Sequence, residues 1–140
     1  MSGDTMTYAL ATFIIVAIGV GVVMLMSFGA RKRQLDVDWY QQQWQGIELQ
    51  SKDGEAGKLL AIVNADKLLD KAMRDLAFKG DTMGARLKQY PQQFSDINGI
   101  WNAHKLRNRI AHDHNVHVSM EEVDRALNQL KIGLKNLGAL

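Results

Sequence analysis

Apolar residues run unbroken through one stretch of the chain and recur at helical spacing through the rest. Residues 5–30 contain no charge, and residues 8–28 are almost wholly apolar. A helix over those 21 positions is about 30 Å long, the thickness of a bilayer's hydrocarbon core. Ile14, Ile15, Val16, Ile18, Val20, Val22 and Val23 leave it no polar side, which suits lipid rather than a protein surface. The remaining 110 or so residues make one small core and could not wrap such a helix on all sides. A cleaved signal peptide would open on basic residues and carry a shorter apolar run, whereas this chain opens Met1-Ser2-Gly3-Asp4. The pattern predicts a transmembrane helix over 8–28.

After residue 34 every periodic segment has the helical period, and no run alternates apolar with polar over five or more positions. Tyr40, Trp44 and Ile47 form a turn-by-turn stripe over 38–50, broken at Ser51-Lys52-Asp53-Gly54. A second helix is expected over about 56–79, with Leu59, Ile62, Val63, Leu69, Met73 and Leu76 on one face and Gly80 as a left-handed stop. Asp66, Lys67, Asp70, Lys71, Arg74 and Asp75 read as its solvated side. A short helix over 82–89 ends at Tyr90-Pro91, because the residue before proline avoids the α region. A long helix follows from Ser95 or Asp96 to His112. The last helix has a capping box, Ser119 with Glu122, and Val118 placed to pack on Val123. Val123, Leu127, Leu130, Leu134 and Leu137 then repeat by four and three up to Gly138. The expected fold is all-α: the N-terminal span followed by an antiparallel helical bundle over 38–140.

Charge orients this arrangement. All 17 Lys and Arg follow residue 30, and three of them are consecutive at Arg31-Lys32-Arg33. A basic flank stays on the cytoplasmic side, so 1–7 is expected outside, 29–37 as a basic juxtamembrane segment, and the bundle inside, on a cell's inner (cytoplasmic) membrane. Removing the basic triplet from the 17 bases and Asp4 from the 15 acids leaves 14 of each in 34–140. A globally basic nucleic-acid-binding domain is excluded, and any RNA contact must be local. The chain has no cysteine, which excludes disulfides, thiol nucleophiles, thiolate zinc sites and iron–sulfur clusters.

The candidate chemistry is confined to one place. All four histidines, His104, His112, His114 and His117, fall within fourteen residues that also hold Lys105, Arg107 and Arg109. His112, His114 and His117 could converge on a metal, but their spacing is not the i, i+4 pair of a helical zinc site. Cationic residues in a helix's last turn are also favoured simply by its dipole.

A third reading comes from resemblance. Arg107-Asn108 followed four positions later by His112 resembles the Arg-x4–6-His motif of the HEPN superfamily, small all-α domains that include toxin and antiviral ribonucleases. The phrase His104-Lys105-Leu106-Arg107-Asn108-Arg109-Ile110-Ala111-His112 is similar to their third-helix motif, and the likeness spans about residues 38–137. It implies RNA cleavage without metal or cofactor, with Arg107 and His112 catalytic, Asn108 orienting, and His104, Lys105 and Arg109 contacting RNA. The side chains suit that chemistry. A histidine can take the 2′-hydroxyl proton, and arginine's planar fork can hold the phosphate. Where the toxins carry a modifiable tyrosine two positions past the histidine, this chain has His114.

Arg107 and His112 are five residues apart, about 500° of helical rotation, so they point roughly 140° apart around the axis. Two copies pairing through this helix would bring them into one cleft, and the family implies such a homodimer. A membrane-tethered module that binds an unknown protein partner, without catalysis, is the competing expectation.

Overall fold

The computed structural model describes residues 3–29, 33–113 and 117–140. They are helical with no strand among them, and they divide into two compact units, Met1–Lys32 and Arg33–Leu140. Arg31 and Lys32 of the basic flank and the candidate site residue His114 lie outside the described residues.

The first unit is a single helix, α1 (Gly3–Gly29). Within it Met6–Met24 has a mean hydropathy of 2.3 and no side chain buried, so it is long and apolar enough to cross a membrane.

The second unit holds α2 (Val37–Gln50), α3 (Gly54–Asp75), α4 (Met83–Gln89), a 3-10 turn at Pro91–Gln93, α5 (Ile97–His112) and α6 (Met120–Asn136). Side-chain pairs fix their directions. Tyr40 with Asp75 and Asn64 with Gln50 set α2 antiparallel to α3. Arg109 with Glu122 and Ser95 with Asn136 set α5 antiparallel to α6. Consecutive long helices therefore reverse, as their short connections require.

α3 is the centre, in contact with α2, α5 and α6. Its Ala61, Ala65 and Ala72 are fully buried and let the neighbouring helices come close, while Ile62, Leu69 and Met73 fill the space between them. Leu69, Ile100, Leu130 and Leu134 meet at the core with no exposed surface. Gly133 marks the closest crossing: a methyl group there would stand 3.1 Å from Ile100 Cδ1 and 3.1 Å from Leu69 Cδ2.

The helix ends follow local chemistry. Asp36 accepts from Trp39 N–H, Thr82 from Ala85, Asp96 from Gly99 and Ser119 from Glu122, each side chain satisfying a first-turn donor. Gly138, at φ 75°, closes α6 as the periodicity predicts. α3 stops earlier than expected. Its left-handed residue is Ala77, at φ 61°, and Phe78 N–H reaches back to the Met73 carbonyl at 2.9 Å. Gly80 serves elsewhere: its carbonyl accepts from the buried guanidinium of Arg86, which also pairs with Asp70 and pins α4 to α3.

The polar side of α3 is the solvated face its charge pattern suggests at Lys67, Arg74 and Asp75, which are exposed, but not at Asp66. Asp66 is 3% exposed, Asp70 holds Arg86, and Asp75 accepts from Tyr40 and Lys71.

Candidate functional site

The helix α5 carries six of the expected site residues and presents them on two faces. Its buried stripe, Ile100, Ala103 and Leu106, faces the core. On one side of that stripe stand His104, Arg107 and Asn108, turned towards α3. On the other stand Lys105 and Arg109, turned towards α6.

The α3 side is a closed ring of four side chains. Asp66 Oδ1 takes His104 Nδ1 at 2.9 Å, and Asp66 Oδ2 lies 3.5 Å from Arg107 Nε. Arg107 Nη1 donates to Asn108 Oδ1 at 3.0 Å, and Asn108 Nδ2 lies 3.4 Å from His104 Nε2. A carboxylate only accepts and an amide nitrogen only donates. His104 therefore carries its proton on Nδ1 and accepts at Nε2, and the Asn108 amide is oriented by both neighbours. Arg107 Nε is buried with no hydrogen-bond partner of its own, so Asp66 acts on it as a charge.

His104, expected to contact RNA, is instead turned inward with its side chain only 15% exposed. The reason is Asp66, a buried carboxylate that must be partnered. Asp66, expected on the solvated side of its helix, is 3% exposed. It interrupts the stripe Ile62, Leu69 and Met73 at the position an apolar residue would take, and a lone carboxylate in such a stripe is the pattern that marks it.

His112 is exposed at the last position of α5. Among the described residues no hydrogen bond or ion pair joins it to Arg107, as the rotation between them requires. Of the other histidines considered for metal, His117 is exposed and His114 lies outside the described residues. No group of three metal-ligating side chains occurs among the described residues.

On the α6 side, Arg109 Nη2 is 2.6 Å from Glu122 Oε1. Glu122 stands in the first turn of α6, where a carboxylate is favoured by the helix dipole. Lys105 is exposed over the cleft between the two helices. The expected RNA contacts are thus divided: Lys105 open to solvent, Arg109 held by an acid, and His104 inside.

The chain matches no family model, no curated protein and no solved structure.

Proposed function

We propose that the chain is a single-pass membrane protein whose helical unit is a HEPN-like domain acting as a metal-independent endoribonuclease. Arg107 is the observation that carries this reading. Its guanidinium is oriented by Asn108 and the buried Asp66, yet its side chain stays 23% exposed, on a helix that ends in an exposed His112. An arginine fixed in that way offers a preorganised charge to a phosphate. His112, with no side-chain partner among the described residues, is available as the base. Because the two point apart on one helix, the working site is composed of two copies paired through α5, Arg107 of one beside His112 of the other. α1 spans the bilayer, with the basic triplet and the helical unit on the cytoplasmic side of the inner membrane.

The test uses the full chain in detergent with structured and unstructured RNA, with and without a chelator. The expected result is cleavage that survives the chelator and leaves a 2′,3′-cyclic phosphate. His112→Ala and Arg107→Ala abolish it, and Arg107→Lys restores little because an ammonium lacks the planar fork. A folded, dimeric chain that leaves RNA uncut overturns the nuclease.

A second reading is favoured by the ring itself. Both nitrogens of His104 are partnered inside the domain, and Arg107 is held there by its hydrogen bond to Asn108 and by the charge of Asp66. Such a network also suits a non-catalytic module that holds a protein partner at the membrane, in which case the same substitutions change partner binding or dimerisation only.

A further inference from the structure

A cleft of the helical unit lies on the other side of α5 from Asp66. It runs between α5 and α6, encloses about 760 Å³, and has Gly99, Ala103 and Ala126 in its floor. These small residues let the helices approach and leave a trough above the seam. At 760 Å³ it lies within the ordinary range of small-molecule sites, roughly 300–1,000 Å³.

Its walls are not those of a simple ionic surface. Asn98, Asn102 and Gln129 bring carboxamides to it; Glu122 is paired with Arg109 and Asp96 caps α5, which leaves Lys105 and Arg125 as its positive charge. Arg125 is held only loosely, 3.9 Å from Glu121 with its side chain 70% exposed. Gln129 Oε1 is buried against Gly99 with no hydrogen-bond partner among the described residues, so a donor in the cleft reaches it as the Gln129 side chain turns outwards. Gly99 makes room for it, since a methyl group at that position would stand 2.5 Å from the Gln129 carboxamide carbon. Asn98, Asn102 and Lys105 also line the adjoining hollow, whose wall includes the half-buried Trp101.

We infer that the α5–α6 cleft, with Trp101 at its rim, binds a single nucleotide unit whose base carries an exocyclic amine. The amine donates to Gln129 Oε1. A carboxamide such as that of Asn102 pairs with a base edge by one donor and one acceptor in a plane, the geometry by which Asn and Gln read adenine. The phosphate is met by Lys105 and Arg125, and the indole offers a stacking surface that any base can use. The chemistry is shared by a free nucleotide and by one unstacked residue of a single strand. This site does not depend on Arg107 or His112, which lie outside the cleft.

The test is calorimetry on the full chain in detergent with four probes: adenosine monophosphate, inosine monophosphate, inorganic phosphate, and a short 2′-O-methyl oligoadenylate that cannot be cut by its own 2′-oxygen. Adenosine monophosphate is expected to bind, with inosine monophosphate weaker by about tenfold because it lacks the amine. Lys105→Ala is expected to weaken binding by about tenfold, and Asn102→Ala by a similar factor. Binding of the oligomer without the free nucleotide assigns the site to a single strand; binding of both assigns it to the nucleotide unit itself. Equal affinity for the adenosine and inosine forms, binding of phosphate alone as tightly as the nucleotide, or affinity unmoved by both substitutions overturns the inference. RNA cleavage by a chain that binds no probe would overturn it while leaving the nuclease standing. Nucleotide binding by a chain that cuts no RNA would do the reverse.

Discussion

The carboxylate of Asp66 on α3 holds Nδ1 of His104 on α5 at 2.9 Å, although the two residues are separated by 38 positions in sequence. The same carboxylate faces Arg107, so one buried acid sets the tautomer of a histidine and the position of the arginine proposed to hold phosphate.

Asp66→Ala removes the acceptor and leaves His104 Nδ1 and Arg107 without their partner. The expected loss of stability is about 2–4 kcal/mol, read by denaturant unfolding of the full chain in detergent. Combined with His104→Ala, the cycle should show a coupling of about 1–3 kcal/mol, because the second truncation removes a group the first has already stranded. Additivity of the two losses would mean that the pair does not form in solution.

Much of the fold is legible in the chain because its signals are local. The stripe of Tyr40, Trp44 and Ile47 is buried as its spacing predicts, and so are Val123, Leu130 and Leu134. Ser119 caps α6 with Glu122 N–H, and Tyr90 ends α4 before Pro91. The central position of α3 is harder to see. Half of its eight buried residues are Ala61, Ala65, Ala72 and Asp66, which carry little or no hydrophobic signal. They are buried because neighbouring helices come close, and Asp66 because residues on α5 partner it. The same holds for the candidate site. Arg107, Asn108 and His112 are visible as a motif, and helical rotation alone parts Lys105 and Arg109 from Arg107 and Asn108, but which side faces α3 is decided by tertiary contacts.

Ala77 occupies the left-handed region, at φ 61°, where the turn after α3 requires it. A side chain there crowds its own carbonyl, a strain of about 1 kcal/mol that glycine does not carry. Ala77→Gly should therefore stabilise the chain by about 0.5–1 kcal/mol, even after the greater freedom of glycine in the unfolded state is counted. A thermal midpoint that falls on this substitution would show that the turn is not left-handed.

Gly133 lies in α6, where alanine is ordinarily the better helix former by about 1 kcal/mol. Here the added methyl would press on Leu69 and Ile100, both fully buried, at 3.1 Å. Overpacking of a closed core typically costs about 1–3 kcal/mol, so crowding outweighs propensity and Gly133→Ala should destabilise. Equilibrium unfolding measures the balance, and a gain in stability would show that α6 stands further from α3 and α5 than described.

The last prediction concerns Tyr40, whose hydroxyl donates to Asp75 Oδ2 at 2.7 Å from a side chain 1% exposed. Burial pushes the phenol well above its ordinary value of 10.0, and the hydrogen bond to Asp75 with that carboxylate's charge pushes it the same way. Because the folded value is raised, the contribution to stability is whole below about pH 10 and is lost as pH rises beyond it, where the unfolded chain ionises and the folded chain does not. Asp75 behaves oppositely. Burial alone would raise its carboxyl, but hydrogen bonds from Lys71 and Tyr40 outweigh burial and hold it below the usual carboxylate range. Its contribution is therefore present above about pH 4 and is lost as pH falls through the lowered value. Stability measured across pH should fall at both ends, and tyrosinate absorbance should show the Tyr40 phenol silent until the chain unfolds in alkali, with Tyr40→Phe as the reference. Tyr40→Phe should cost about 1–1.5 kcal/mol at neutral pH, flatten the alkaline fall and move the Asp75 carboxyl back towards its usual range. A Tyr40 phenol that titrates near pH 10 in the folded chain would remove Tyr40 from the contact between α2 and α3.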